Sequence, residues 1–132
     1  LVNNKFAIAR GDDPNWQGLP QKDFEVLIDL AGAKKLSYVG LNFFQHISAT
    51  SVMLPTKVTI AISKDGKDYT TVSEETIETT KERDPIIKRV EAEFDQKEVS
   101  FIKISATNRG TLPDWHIRKG DAWLFVDEVS VR

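Results

Sequence analysis

The sequence contains no cysteine and only two histidines, His46 and His116, in 132 residues. The lack of cysteine excludes thiol nucleophiles, disulfide bridges and iron–sulfur clusters, and two histidines leave little for an imidazole-rich metal site. No apolar run approaches the roughly 20 residues of a membrane helix, so we expect no membrane insertion. The 18 Lys and Arg nearly balance the 20 Asp and Glu. The chain therefore lacks the basic excess that favours nucleic-acid binding.

The hydrophobic fraction is 40% and the charged fraction 29%, which is typical of a globular domain. The length is that of one domain, and we expect residues 1–132 to form a single unit. Because Leu1 is not a natural start residue, we expect the chain to be a piece of a longer protein.

Alternating apolar and polar residues indicate β-strands throughout, with no convincing helical stripe. The strand patterns lie at 24–30, 36–45, 58–63, 69–78, 90–95, 101–107 and 122–131. Ala31-Gly32 is expected to end a strand, and Asp65-Gly66 to form a hairpin turn. Short strands without intervening helices favour an antiparallel sandwich of two sheets, with long loops at 10–22, 45–56, 79–87 and 108–121. The expected core is Phe24, Val26, Ile28, Leu41, Phe43, Val58, Ile60, Ile62, Phe94, Ile102, Ile104 and Leu124.

Motifs for catalysis are missing from the sequence. It contains no G-x-S-x-G, no G-x-G-x-x-G and no phosphate-binding loop. A pair of carboxylates suited to glycoside hydrolysis is too easy to find among 20 acidic residues to be informative. We therefore expect no enzymatic activity from this chain alone.

Two loops carry tryptophan beside polar side chains, a mixture suited to sugars because an aromatic face stacks on a sugar ring while polar groups bind its hydroxyls. Trp123 lies in the final apolar run and is expected in the core, whereas Trp16 and Trp115 either stack on a ligand or pin their loops. Candidate sugar-binding residues are Trp115, Arg109, Asn108, His46, Trp16 and His116.

Oxygen-bearing side chains lie near both chain ends, with Glu128 at the last strand and five residues near the start: Asn3, Asn4, Asp12, Asp13 and Asn15. The first and last strands of a sandwich are often neighbours, and Ca²⁺ prefers six to eight oxygen ligands. Either a structural calcium ion or a set of solvated loop residues fits this pattern.

Several blocks resemble discoidin-like (coagulation factor type C) domains, the group that includes family 32 carbohydrate-binding modules. The blocks are Asn15-Trp16-Gln17-Gly18, the strand at 24–30, the segment 54–69 with its Ser-x-Asp-Gly turn, the strand at 101–106 and the closing strand at 123–131. The resemblance implies an all-β fold, a galactose-binding-like jelly-roll β-sandwich of two antiparallel sheets. The first strand of the family has no counterpart in the sequence, so we expect the domain to lack it.

The block 108–116 followed by 120–128 is most similar to the C-terminal domain of Bacteroides-type family 20 β-hexosaminidases. The resemblance implies a non-catalytic accessory domain of an exported glycoside hydrolase, in the periplasm or at the cell surface. Its partners would be the catalytic domain and a glycan of galactose or N-acetylhexosamine type, bound weakly by end loops. Glu128 matches a calcium ligand of the family, and Asn3 stands where the family has an aspartate. A purely structural domain that packs on the catalytic domain, or a cell-surface protein-interaction module, fits the same resemblance.

Overall fold

The computed structural model describes residue 7, residue 10 and residues 12–132. These residues form seven strands and no helix: β1 Gln17–Pro20, β2 Phe24–Gln45, β3 Lys57–Ser63, β4 Thr70–Thr76, β5 Ile86–Thr107, β6 Trp123–Val126 and β7 Ser130–Val131. No helix capable of crossing a membrane occurs in this part of the chain. The prediction of an all-β fold is confirmed.

All strand pairings are antiparallel, and hydrogen bonds connect the strands in the order β1-β6-β2-β5-β3-β4, with β7 also on β2. The start of β2 and the end of β5 pair beside β3 and β4. The end of β2 and the start of β5 pair beside β6, β7 and β1. These two halves share one hydrophobic core, as a sandwich of two antiparallel layers requires.

β2 and β5 are longer than the sequence predicted, because each passes through an expected strand end. Ala31 and Gly32 have positive φ angles of 57° and 121°, yet β2 continues to Gln45. Four residues of β2 (30–33) there oppose one residue of β5, and further along three residues of β5 (94–96) oppose Ser37. Irregularities of this kind bend strands, and they carry β2 and β5 from one layer into the other.

The expected core is confirmed for most positions, since Leu41, Phe43, Val58, Ile60 and Ile102 are almost fully buried. Three expected core residues are half-buried and pack against its margin: Val26, Ile28 and Phe94. The Asp65-Gly66 hairpin between β3 and β4 is also confirmed, with Gly66 at a φ of 79°.

The polar strand β4 lies at the edge of the sheet as expected. The loop expected at 10–22 contains strand β1, and the loop expected at 79–87 ends where β5 begins at Ile86. The final apolar run divides into β6 and β7 at Asp127 and Glu128.

Candidate functional site

Three of the long loops meet at one end of the sandwich and are tied together by hydrogen bonds. Ser48 donates its hydroxyl to the carbonyl of Arg83 at 2.8 Å, and Arg118 donates Nη2 to the carbonyl of Ala49 at 2.9 Å. Gln45, at the end of β2, donates Nε2 to the carbonyl of Thr80 at 3.2 Å. The segment 46–52 therefore forms a fixed ridge between the other two loops.

An open groove of about 640 Å³ lies on one side of this ridge. We call it the aromatic groove; its walls are formed by the segment 49–52, Trp123, Phe125, His46, Arg10 and Asp12. The lining is mainly apolar, with polar groups from His46 and the Arg10–Asp12 ion pair, whose Nη2 and Oδ2 atoms are 2.7 Å apart. A concave apolar wall with few polar groups is typical of a small-molecule site.

Trp123 is not in the core, contrary to the expectation from the sequence, because its side chain is 40% exposed in the aromatic groove. Strand β6 alternates, so Leu124 and Val126 point into the core while Trp123 and Phe125 share the outer face. The backbone at Trp123 is held by two bonds to the ridge: its N–H donates to the carbonyl of Ser51 at 2.9 Å, and its carbonyl accepts from Met53 at 3.1 Å. The indole therefore extends from a fixed position.

Aromatic rings support the groove from below. Trp123 meets Phe125 edge-on at 6.4 Å between centroids, Phe125 stacks on Phe44 at 6.3 Å, and Phe44 stacks on Trp16 at 5.3 Å. Trp16 is 7% exposed, so it pins its loop and does not offer a face to a ligand.

Gly18 of β1 lies opposite Phe125 and leaves room for its ring. A Cβ at this position would lie 2.7 Å from Cε1 of Phe125. A larger residue would therefore displace a ring that supports the groove.

His46 is the predicted binding residue that the structure does place in the groove. It is half-buried, contacts Phe44 edge-on at 6.1 Å between centroids, and lines the groove together with Trp123. Its backbone is fixed by a 3.2 Å bond from its N–H to the carbonyl of Val52. The imidazole thus offers polar ring atoms beside an aromatic surface.

A second, smaller hollow of about 180 Å³ borders the ridge at Ile47. We call it the basic hollow; it is lined by Ile47, Lys81, Arg83, Trp115, His116 and Ile117. The Nζ atom of Lys81 lies 5.4 Å from the centre of the Trp115 ring, within the range of a cation–π contact. The two predicted residues Trp115 and His116 therefore lie in a different site from His46.

The side chains of Asn108 and Arg109 form hydrogen bonds to other segments of the fold. The Asn108 amide donates to the carbonyls of Leu19 at 3.2 Å and Lys22 at 3.0 Å, and it accepts from Gly110 N–H at 2.8 Å. Asn108 is 7% exposed, and its bonds tie the end of β5 to β1 and to the β1–β2 connection. Its contact with a sugar stays a prediction. Arg109 donates Nη1 to the hydroxyl of Thr79 and joins two loops.

The predicted calcium ligand Glu128 is buried at the end of the chain, and its predicted partner Asn3 lies outside the described residues. Beside it, Asp127 accepts hydrogen bonds from the N–H of Ala7 at 3.3 Å and from both nitrogens of Asn42 at 3.0 Å. Burial raises the pKa of Asp127, and the bonds from Asn42 and Ala7 partly oppose the rise.

Within residues 7, 10 and 12–132, no three His, Asp or Glu side chains are grouped to hold a metal ion. Glu128, Asp12 and Asp13 are described and none of them belongs to such a group, whereas Asn3 and Asn4 lie outside the described residues.

The sequence does contain a signal for the position of Trp123. In the pattern Trp123-Leu124-Phe125-Val126, aromatic and aliphatic side chains alternate. Strict alternation at the edge of a core places either the aromatic pair or the aliphatic pair outside. The expectation that Trp123 lies in the core did not take this alternation into account.

Two solved structures with a TM-score above 0.5 share the fold, and a third is similar at a lower score. The chain has a TM-score of 0.52 with chitosan-binding module 1, derived from a chitosanase/glucanase of Paenibacillus sp., at 17% identity over 83% of this chain and 68% of that one. With a GH29 fucosidase of Ruminococcus gnavus the TM-score is 0.57, at 13% identity over 99% of this chain and 21% of the fucosidase. With the C-terminal domain of a chitobiase from Bacteroides fragilis it is 0.48, at 17% identity over 84% of this chain and 63% of that one.

The chain thus spans about two thirds of the length of the binding module and of the chitobiase domain that it matches, and about a fifth of the fucosidase. A comparison with curated proteins finds no match. The sequence model of the F5/8 type C domain matches residues 3–120. Together with the antiparallel sandwich, this match shows that the chain belongs to the F5/8 type C (discoidin-like) domain family.

Proposed function

We propose that the protein is a non-catalytic glycan-binding module of an exported glycoside hydrolase of the β-hexosaminidase type, located in the periplasm or at the cell surface. It binds a sugar of galactose or N-acetylhexosamine type in the aromatic groove. The observation that carries this proposal is the 40% exposed indole of Trp123 in a concave, mainly apolar groove. Membership of the F5/8 type C family, and the description of one structural relative as a chitosan-binding module, support it.

The groove provides the two kinds of contact that a sugar needs. The indole of Trp123 and the ring of Phe125 form an apolar surface for the C–H face of a pyranose. Arg10 and Asp12 form an exposed ion pair, with guanidinium donors and carboxylate acceptors side by side. Neighbouring hydroxyls of a sugar both donate and accept, so this pair and His46 can bind them together.

The expected affinity of one groove is modest. A sugar ring that removes about 80 Å² of apolar surface from water gains about 2 kcal/mol, before the hydroxyl contacts are counted. Attachment to an enzyme would raise the local concentration of that enzyme on a glycan, so that weak single sites become useful.

Substitution of single aromatic side chains tests the location of the site. The chain would first be screened on a glycan array, and the best neutral ligand would be titrated by calorimetry. Trp123→Ala should weaken the Kd by about thirtyfold, which corresponds to the loss of about 2 kcal/mol. Trp123→Phe keeps an aromatic face and should retain much of the affinity.

Leu27→Ala is a matched control, since Leu27 is 57% exposed on β2 and lines neither the aromatic groove nor the basic hollow. It should leave the Kd unchanged, as should Trp115→Ala for a neutral ligand. Loss of binding with Trp115→Ala but not with Trp123→Ala would move the site to the basic hollow. A lack of binding to every galactose-, N-acetylgalactosamine- and N-acetylglucosamine-terminated glycan at millimolar protein would reject the proposal in favour of a structural domain.

We also propose that Ca²⁺ binds Glu128 with oxygen ligands from the beginning of the chain. What supports this is the burial of Glu128 together with the bond from Ala7 to the neighbouring Asp127, which brings the two ends of the chain together. The oxygen donors of such a site would rigidify the join between these ends.

A further inference from the structure

We propose that the basic hollow binds an anionic group of a glycan, a carboxylate or a sulfate ester, and so gives the protein a preference for acidic glycans. This inference goes beyond the proposed function, because the basic hollow and the aromatic groove share no lining residue.

The first observation is the pair of cations at the hollow, Lys81 and Arg83. Both side chains are exposed, and within residues 12–132 neither forms an ion pair with a carboxylate. Two other cations of the neighbouring loop are already used: Arg118 binds the carbonyl of Ala49, and Lys119 binds the carbonyl of Asp114 at 3.2 Å. The hollow thus keeps two positive charges available to a ligand.

The second observation is independent of charge and concerns His116, which is only 3% exposed and lines the hollow. Its Nδ1 accepts a hydrogen bond from the N–H of Arg118 at 2.9 Å, so the neutral ring carries its proton on Nε2. This buried Nε2 has no hydrogen-bond partner among the described residues. A buried donor without an acceptor is unfavourable, and a ligand oxygen that enters beneath the flexible Lys81 side chain would supply one.

The third observation is the apolar floor of the hollow. Trp115 is half-buried and stacks on His116 with 6.1 Å between ring centroids, while Ile117 is 70% exposed at the rim. An aromatic face together with two cations and an N–H donor fits a sugar ring that carries an anionic group. A free inorganic anion would leave the Trp115 face uncovered.

Galactose and galacturonate are suitable probes, because they differ only in a hydroxymethyl and a carboxylate group at C6. Galactose 6-sulfate is the third probe, and it distinguishes the sulfate from the carboxylate as the source of charge. Each would be titrated into ¹⁵N-labelled protein while the indole N–H resonances of Trp115 and Trp123 are followed. We expect one or both anionic sugars, but not galactose, to shift the Trp115 resonance.

Variants then test the role of charge. Lys81→Gln should weaken the affinity for the anionic sugar about two- to fivefold, which is the effect of one exposed ion pair. Lys81→Arg should restore that affinity. Raising the salt concentration from about 0.01 M to about 1 M should also weaken the affinity for the anionic sugar, since the Debye length falls from about 30 to about 3 Å. Lys103→Gln is the matched control, because Lys103 also lies over an aromatic ring, 4.3 Å from the centre of Tyr69, outside the hollow.

The outcomes separate this inference from the proposed function. In Trp123→Ala, the galactose-dependent shifts of backbone amides in the aromatic groove, such as that of Phe125, should disappear while the anionic sugar still shifts the indole N–H of Trp115. This result would support the basic hollow as a site of its own. The inference is overturned if galactose shifts Trp115 as strongly as the anionic sugars do, if no sugar shifts it, or if Lys81→Gln and Lys103→Gln have equal effects. Failure of galactose to shift Trp123 would affect only the aromatic groove.

Discussion

Asn108 provides a sharp test of the distinction between binding and folding at this end of the molecule. Its side chain makes three hydrogen bonds, to the carbonyls of Leu19 and Lys22 and from the N–H of Gly110. At about 1 kcal/mol for each bond, Asn108→Ala should lower the free energy of unfolding by about 3 kcal/mol. For a domain of this length the melting temperature should fall by about 12 °C, or about 4 °C for each kcal/mol.

The assay is thermal and urea unfolding of the variant, combined with calorimetric titration of a neutral glycan at a temperature where the variant is folded. Asn15→Ala is the control. Within residues 12–132 the one side-chain hydrogen bond of Asn15 goes to Asp13, two residues away, and the expected change is within about 0.5 kcal/mol. Glycan affinity should be unchanged in both variants. The reasoning is refuted if Asn108→Ala keeps the wild-type melting temperature and loses glycan binding, because Asn108 would then contact the sugar.

Two further predictions concern the support of the groove and the ends of the chain. Gly18→Ala should lower the free energy of unfolding by about 1–3 kcal/mol, because the new methyl group overlaps the ring of Phe125, and Phe125→Leu in the same chain should relieve this cost. Equal stability of the single and double variants in urea unfolding would argue against this overlap. If Glu128 binds Ca²⁺, a chelator should lower the melting temperature of the wild type but not of Glu128→Gln. An unchanged wild-type midpoint would reject the calcium proposal.

Local patterns were sufficient to predict most of the strands and most of the core. The alternation in 58–63 and 101–107 placed Ile60, Ile102 and Ile104 correctly, because a period of two fixes which side chains face inward. The Asp-Gly turn was equally readable. These features depend only on neighbours in sequence.

The features that were missed depend on distant partners. Gly32 was expected to end a strand, because a turn and a bulge have the same local sequence; only the pairing of β2 with β5 decides between them. Asn108 was predicted only as a sugar-binding residue of a loop. Its hydrogen bonds within the fold could not be foreseen, because its partners Leu19 and Lys22 are more than 80 positions away. For the same reason the sequence could not show that Trp115 and His46 lie in different hollows.

The continuous course of β2 and β5 has a consequence for how the domain opens. Each strand is 22 residues long and belongs to both layers. Neither layer can therefore unfold without disrupting the hydrogen bonds between β2 and β5. Amide exchange in both layers should therefore proceed through a single global opening, apart from fraying at β1, β4 and β7. The paired residues of β2 and β5 are also distant in sequence. Their separation rises from 41 positions, between Gln45 and Ile86, to 82 positions, between Phe24 and Ala106. Such distant partners make the pairing of β2 with β5 slow to form during folding.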